Sequence, residues 1–184
     1  MKYKGKVVII TGAGKPTPLA DGSAGSIGYG IAIAFAKEGA DLVITGRNIR
    51  KLEEAKQELE SLYGIRVLAV QADVNSGADN AAVVRNVIDR TIQEFGRIDV
   101  LINNAQASAS GVPLADHTMQ QFDLALYSGL YATYRAGGLT EYYKVEPDDG
   151  LIYNIGTNPF TQIASTAERA QVLQRIINHL SATT

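Results

Sequence analysis

The stretch that decides the fold is Val7-Val8-Ile9-Ile10-Thr11-Gly12-Ala13-Gly14, which is followed, after a polar segment, by Gly25-Ser26-Ile27-Gly28. β-Branched residues favour an extended strand, and the glycines directly after them favour a tight turn because glycine adopts positive φ without steric cost. The second glycine cluster opens a repeat of apolar residues at helical spacing, Ile27, Ile31, Ala34 and Phe35. A strand that leads through a glycine turn into a helix is the first unit of a parallel α/β sheet.

The same unit recurs along the chain. Short apolar runs predict four more strands, Leu42–Thr45, Val67–Val70, Ile98–Ile102 and Leu151–Ile155. Apolar repeats that end at a glycine predict two helices between them, one with Leu52, Ala55, Leu59 and Leu62 before Gly64, and one with Val84, Val87, Ile88, Thr91 and Phe95 before Gly96. A less regular helix is predicted from about Met119 to Tyr143, and a closing helix around Leu173 to Leu180.

This alternation predicts an α/β fold in three layers, a Rossmann-type doubly wound parallel sheet with helices on both faces. Right-handed crossovers and the two-half winding of such sheets favour the strand order 3-2-1-4-5. A chain of 184 residues is long enough to bury one good core and short for two. Residues 1–184 are therefore expected to form a single domain.

Composition narrows the classes of partner. The chain is 46% hydrophobic and 20% charged, which is typical of a folded globular protein. A net charge of -2 without a run of Lys and Arg argues against nucleic acid, and no apolar run approaches the roughly 20 residues that a bilayer requires, so no membrane partner is expected. The absence of cysteine excludes thiolate metal sites and fits a cytoplasmic location. The two histidines, His117 and His179, are too far apart to indicate a metal site.

The glycine turn has the composition of a phosphate-binding loop. Gly12, Gly14 and Gly28 let backbone N–H groups approach a pyrophosphate, and Ser26 and Ile27 begin a helix whose N-terminus favours negative charge. These five residues are predicted to bind a dinucleotide. The segment from Lys15 to Ala24 interrupts the turn with two prolines, and it either covers the cofactor or is a surface insertion without a role.

The ends of strands two and three supply further candidates. Where NAD-binding folds place an acid for the ribose 2′-hydroxyl, this chain has Arg47. A planar guanidinium pairs with a 2′-phosphate, which favours NADP, with NAD as the second option; alternatively, Arg47 is an exposed residue at a helix start. Asp73 either accepts a hydrogen bond from the adenine amino group or caps the next helix.

Several of these residues together resemble the short-chain dehydrogenase/reductase family over about residues 4 to 134. The resemblance rests on Thr11-Gly12, Ser26-Ile27-Gly28, Asp73-Val74 and, most specifically, Asn103-Asn104-Ala105 after strand four. It implies an NADP-binding protein in which Asp73, Val74, Asn103 and Ala105 shape the cofactor site, and hydride transfer between the nicotinamide and a carbonyl or alcohol substrate. Ser26 stands where most members carry glycine, as in the enoyl-reductase branch, and Gln106 also stands where the family usually has glycine.

The resemblance further implies a catalytic set of Asn, Ser, Tyr and Lys, which the sequence keeps only in part. Thr157 fills the position of the catalytic serine, and its hydroxyl is expected to bond a substrate carbonyl. Gly129 stands where the family has its helix asparagine, and Ala170 and Gln174 stand at the spacing of the tyrosine and lysine. None of the eight lysines has a tyrosine four positions before it.

Two classes of function therefore follow, an NADP-dependent reductase and a catalytically inert nucleotide-binding domain. The sequence of strand five, Tyr153-Asn154-Ile155-Gly156-Thr157, resembles a strand of the extended branch of the family. The chain is therefore interpreted either as a chimera or design, or as a truncated or diverged product. It ends before the family's sixth and seventh strands, so an incomplete substrate pocket is expected. Tyr127, Tyr131 and Tyr134 recur at helical spacing and either line a pocket, pack a core or form the contact of a homo-oligomer.

Overall fold

A computed structural model describes residues 1–17, 26–74, 80–107, 109, 111–112 and 114–134, together with the backbone of 151–154. It contains one parallel sheet of five strands, β1 (Val7–Thr11), β2 (Asp41–Gly46), β3 (Val67–Gln71), β4 (Val100–Asn103) and β5 (Leu151–Asn154). The strand order is β3-β2-β1-β4-β5, which confirms the predicted fold and order.

Four helices flank the described part of the sheet: α1 (Ile27–Lys37), α2 (Ile49–Tyr63), α3 (Asn80–Phe95) and α4 (Met119–Ala125). Gly64 ends α2 in the left-handed conformation, with φ of 65°. Helix α4 continues as a π-helical segment, Leu126–Tyr131, so the predicted helix begins at Met119 but is irregular along its length. Its predicted part beyond residue 134 and the predicted closing helix lie outside the described residues.

Two buried clusters fill the space on either side of the sheet. Side chains alternate along β1, so that Val8 and Ile10 pack against α1 and α2 whereas Val7 and Ile9 pack against α3. A strand covered on both faces is apolar at every position, which explains the unbroken Val and Ile run. The result is the predicted arrangement of three layers.

The predicted face of α1 is correct in part. Ile31 and Phe35 are partly buried and pack against the core, whereas Ile27 is 72% exposed and Ala34 is also exposed. Tyr29, Ala32 and Ala36 are the more deeply buried residues, and the two alanines let the helix lie close to the sheet.

The predicted face of α2 is correct for Leu52, Ala55 and Leu59, which are fully buried, and wrong for Leu62, which is 63% exposed. Tyr63 packs against the core at the end of this helix in its place.

The start of β4 also differs from the prediction. The strand begins at Val100, two residues later than expected, and Ile98 and Asp99 lie in the connection before it. The Asp99 side chain there accepts a hydrogen bond from the Val7 backbone N–H at 2.8 Å, and its own backbone N–H donates to Val7 O at 2.9 Å. Among the residues that the structure describes, no helix is both long and apolar enough to cross a membrane.

Candidate functional site

The turn after β1 and the first turn of α1 touch each other through their backbones. Gly12 has φ of +72°, and a Cβ on Gly28 would stand 2.3 Å from the Gly12 carbonyl oxygen. No side chain fits at position 28, so glycine there lets α1 begin directly against the turn. The first amides of α1 therefore lie at the carboxyl edge of β1, where a helix N-terminus binds anions.

The two halves of the predicted phosphate cradle meet although they are separated in the sequence. The Ser26 hydroxyl lies 3.5 Å from the Gly14 carbonyl oxygen, twelve positions away. The same hydroxyl caps α1 by accepting from the Tyr29 N–H at 3.3 Å. The side chain of Ile27 points outward, which leaves its backbone as the part able to face a ligand. The structure thus brings together Gly12, Gly14, Ser26, Ile27 and Gly28.

The start of the polar segment after Gly14 is attached to α2. Lys15 forms an ion pair with Glu58, and its backbone N–H donates to the Lys51 carbonyl at 3.0 Å. Lys51 Nζ in turn donates to the Thr17 hydroxyl at 2.8 Å. The chain therefore leaves Gly14 toward α2, and the predicted covering segment is described only as far as Thr17.

Glu58 joins this segment to α1 as well. The buried Tyr29 hydroxyl donates to its carboxylate at 2.7 Å. The hydrogen bonds from Lys15 and then from Tyr29 hold the pKa of Glu58 below its ordinary value, and burial together with the bond to Glu58 raises the pKa of Tyr29. The carboxylate is thus kept charged and fixes both sides of the turn to α2.

A polar network ties the turn to the end of β4. Asn104 Nδ2 donates to the Thr11 carbonyl at 2.8 Å and lies 3.3 Å from the Gly12 carbonyl. The backbone N–H groups of Asn104 and Ala105 both donate to the Thr11 hydroxyl at 2.9 Å, and that hydroxyl lies 3.3 Å from the Ile102 carbonyl. Two adjacent parallel strands are therefore locked in register at the edge where the candidate site lies.

Arg47 and Asp73 border one open cleft at the ends of β2 and β3. The cleft has a volume of about 570 Å³, within the usual range for a small-molecule site. Its lining consists of Arg47, Gln71, Ala72, Asp73, Ala82, Val83 and Asn86. The Arg47 backbone is held by a 2.9 Å hydrogen bond from Gln71 Nε2, while its guanidinium is exposed and forms no salt bridge within the described part of the chain.

Val74, Asn103 and Ala105 meet at a second, much smaller cavity beside the first. Its volume is about 20 Å³, enough for about one water molecule, and it lies over the ends of β1 and β4. Ser128 lines it from the helical side and is buried; its hydroxyl accepts from the Ala107 N–H at 2.9 Å and lies 2.7 Å from the Leu124 carbonyl. The irregular helix is thereby joined to the loop after β4.

Two departures from the family pattern pack against each other. A Cβ on Gly129 would stand 3.2 Å from Gln106 Nε2, so the glutamine carboxamide occupies space that a side chain at 129 would otherwise fill. Gly129 lies in the π-helical segment, and such segments concentrate at functional sites. The Gln106 carboxamide therefore lies close to the helix at the position that has no side chain, and a Cβ at 129 would require it to shift by a few tenths of an ångström.

The predicted catalytic residue, Thr157, lies outside the described residues. Among the described ones, no three His, Asp or Glu side chains gather where they would hold a metal ion. The run Asn103-Asn104-Ala105 indicated from the sequence that Asn104 belongs to the site. Sequence reasoning missed the part of Ser128 and Glu58 in holding the site, because no local pattern marks these two residues.

A family model described as enoyl-(acyl carrier protein) reductase matches residues 22–174. Among curated proteins, the 12alpha-hydroxysteroid dehydrogenase of Clostridium sp. is 58% identical over 132 residues, which make up 72% of this chain and 48% of that protein. The chain therefore spans about half the length of this relative.

Two solved structures are also similar to this chain. A short chain dehydrogenase from Burkholderia cenocepacia in complex with NADP superposes with a TM-score of 0.72 at 28% identity, over 90% of this chain and 60% of that one. The L-sorbose reductase from Gluconobacter frateurii, complexed with NADPH and L-sorbose, superposes with a TM-score of 0.71 at 28% identity, over 84% of this chain and 53% of that one.

Proposed function

Because this chain belongs to the short-chain dehydrogenase/reductase family of oxidoreductases, we propose that it binds NADP at the carboxyl edge of its sheet and transfers hydride between the nicotinamide and a carbonyl or alcohol substrate. The observation that carries the proposal is the contact of Gly28 with the Gly12 carbonyl, where a Cβ would stand 2.3 Å away. This contact places the N-terminus of α1 beside the glycine turn, at the point where the winding of the sheet reverses between β1 and β4. Open α/β sheets bind nucleotides at that point.

Each part of a dinucleotide has a candidate partner along this edge. We assign the pyrophosphate to Gly12, Gly14, Ser26, Ile27 and Gly28, whose backbone meets the positive end of the α1 dipole. We assign the adenosine end to the cleft lined by Arg47 and Asp73 and to the neighbouring Val74. Asn103 and Ala105 would flank the nicotinamide end beside the small cavity.

NADP is preferred over NAD because of Arg47. Its exposed guanidinium stands at the end of β2, where an acidic residue would repel a 2′-phosphate. The Burkholderia cenocepacia dehydrogenase structure is a complex with NADP, and the Gluconobacter frateurii reductase structure is a complex with NADPH. NAD remains the second cofactor to be tested.

The test of binding is calorimetric titration of the whole chain with NADPH and with NADH, followed by thermal unfolding with saturating cofactor. We expect tighter binding of NADPH and a rise in melting temperature, because a ligand that binds only the folded state stabilises it. No heat and no shift with either cofactor would contradict the proposed binding.

Turnover is measured at the nicotinamide absorbance band with ketones, enoyl thioesters and a 12-oxosteroid, the last chosen from the name of the Clostridium relative. The second candidate function is an inert nucleotide-binding domain, favoured by the lack of any Tyr-x-x-x-Lys pair in the sequence. Cofactor binding without turnover of any substrate favours this second candidate. Turnover that is lost in Thr157→Val would support the reductase and the predicted role of Thr157.

We also propose that α4 and its extension contact a second copy of this chain. Four apolar or aromatic side chains there are well exposed: Met119, Phe122, Tyr131 and Tyr134. Contiguous exposed apolar residues commonly mark interfaces. Sedimentation should give a dimer for the wild type and a monomer for Tyr134→Glu; a wild-type monomer at high concentration would contradict this proposal.

A further inference from the structure

Asn80 is a polar residue at an apolar position. It lies at the start of α3 on the face formed by Val84, Val87, Ile88 and Thr91, and its exposed fraction is 0%. The helical repeat calls for an aliphatic side chain there, and such a side chain would be buried without loss of hydrogen bonds. The presence of a carboxamide therefore needs a cause other than packing.

One end of the carboxamide is used and the other is not. Asn80 Nδ2 donates to the Val74 carbonyl, across the connection between β3 and α3. Asn80 Oδ1 is buried, and no donor reaches it within the described residues. A buried acceptor without a partner destabilises a fold, so this side chain is poorly chosen for stability alone.

The bond from Asn80 Nδ2 fixes a short segment at the candidate cofactor site. Ala72 N–H donates to the Gly46 carbonyl at 2.9 Å, which holds the start of the segment to the end of β2. Val74 is held at the other end by Asn80, so Asp73 and Val74 are fixed from both sides. Asp73 borders the open cleft together with Arg47, and Val74 borders the small cavity with Asn103 and Ala105.

We propose that Asn80 is a positioning residue for the adenosine end of the cofactor site: its buried carboxamide holds the Val74 carbonyl so that Asp73 and Val74 keep their place beside the cleft. The proposal rests on the proposed cofactor binding. It assigns to Asn80 no contact with the ligand, because the side chain is entirely enclosed.

The test compares Asn80→Val with Thr91→Val. Thr91 is a matched control because it is equally buried on the same face of α3, and among the described residues its hydroxyl bonds within the helix, to the Val87 carbonyl at 2.7 Å. It lies eleven residues along the helix, about 16 Å from Asn80. Valine at either position removes a hydrogen-bonding group and keeps a similar volume.

We expect Asn80→Val to keep or raise the melting temperature, because it removes an unpaired acceptor, and to weaken NADPH binding about fivefold. The loss should also appear with adenosine 2′,5′-bisphosphate and be absent with nicotinamide mononucleotide. Thr91→Val should bind all three ligands as the wild type does. Should Asn80→Val fail to fold, Asn80→Ala removes the same two polar atoms without adding a branched side chain.

Two results would overturn the inference: unchanged affinity for the adenosine fragment, or an equal loss for both fragments accompanied by a lower melting temperature, which indicates a merely structural role. Failure of the wild type to bind NADPH would instead overturn the proposed function on which the inference rests. The two failures are therefore distinguishable from the wild-type titration alone.

Discussion

At the amino-terminal edge of the sheet the Asp99 carboxylate is surrounded by donors, whereas at the carboxyl-terminal edge the Arg47 guanidinium faces an open cleft. Asp99 is 6% exposed and accepts from the Val7 N–H and the Arg97 guanidinium, with Lys6 Nζ at 3.2 Å. Arg47 has no salt bridge within the described residues. Charge at the first edge is neutralised inside the fold and stabilises it, while charge at the second edge is available to a ligand.

The largest expected effect is at the contact between the glycine turn and α1. Gly28→Ala places a Cβ 2.3 Å from the Gly12 carbonyl and 2.6 Å from Asn104 Nδ2, so the backbone must move. We expect a loss of about 3 kcal/mol in the free energy of unfolding, measured in urea, and loss of cofactor binding. Gly30→Ala is the control, because beyond its own helix backbone no described residue comes within 4 Å of a Cβ there, and alanine favours the helix by about 1 kcal/mol. Equal stability of the two variants would show that α1 does not rest against the turn.

The second-largest expected effect is at the amino-terminal edge of the sheet. Asp99→Asn keeps the shape of the side chain and removes the charge that Arg97 and Lys6 face. We expect a loss of about 2 kcal/mol in the free energy of unfolding without change in cofactor affinity. Asp89→Asn, an exposed change on α3, should be neutral within about 0.5 kcal/mol. A loss of NADPH affinity in Asp99→Asn would end the separation of the two edges.

The same carboxylate predicts how stability depends on pH. Burial raises the pKa of Asp99, but the hydrogen bonds from Arg97, the Val7 N–H and Lys6 outweigh burial and hold this pKa below its ordinary value. A group whose pKa is lowered by folding stabilises the protein above its unfolded pKa of about 3.9, and this contribution is lost as the pH falls through the folded value. The free energy of unfolding should therefore fall less steeply below about pH 4 in Asp99→Asn than in the wild type. Equal slopes of the free energy of unfolding against pH in the two proteins below about pH 4 would contradict this assignment to Asp99.

A smaller effect distinguishes Arg47 from its neighbour Arg50. Arg47→Ala should weaken NADPH binding about tenfold, which corresponds to about 1.4 kcal/mol, and leave NADH binding nearly unchanged, because only NADPH carries the 2′-phosphate. Arg50 pairs with Glu54 at 3.7 Å, so Arg50→Ala should affect neither cofactor. Titration calorimetry measures the dissociation constants of both variants for both cofactors. Equal losses of affinity for NADPH and NADH in Arg47→Ala would remove the argument for NADP.

The smallest effect concerns the packing of Gln106 on Gly129. Alanine at 129 gains helix propensity but brings its Cβ within 3.2 Å of Gln106 Nε2. Gly129→Ala should therefore stabilise the protein by about 0.5 kcal/mol more in a Gln106→Ala background than in the wild type. Strictly additive unfolding energies would show that the two residues do not interact.

The sequence by itself determined the strand order, the helix ends and the position of the glycine turn. These features depend on patterns carried by neighbouring residues: β-branched runs for the strands, Ser26 at a helix start, and Gly64 at a helix end. Local steric and hydrogen-bonding preferences act over a few residues, so they can be read without knowledge of the rest of the chain.

Only the tertiary structure decided which distant groups share the site. Gly14 and Ser26 meet across a twelve-residue separation, Asn104 joins the Thr11 turn across more than ninety residues, and the buried face of α1 follows the close approach of small residues to the sheet. The pairing of Gln106 with Gly129 and the enclosed carboxamide of Asn80 have the same origin. Contacts of this kind depend on the packing of whole layers, which local sequence patterns do not specify.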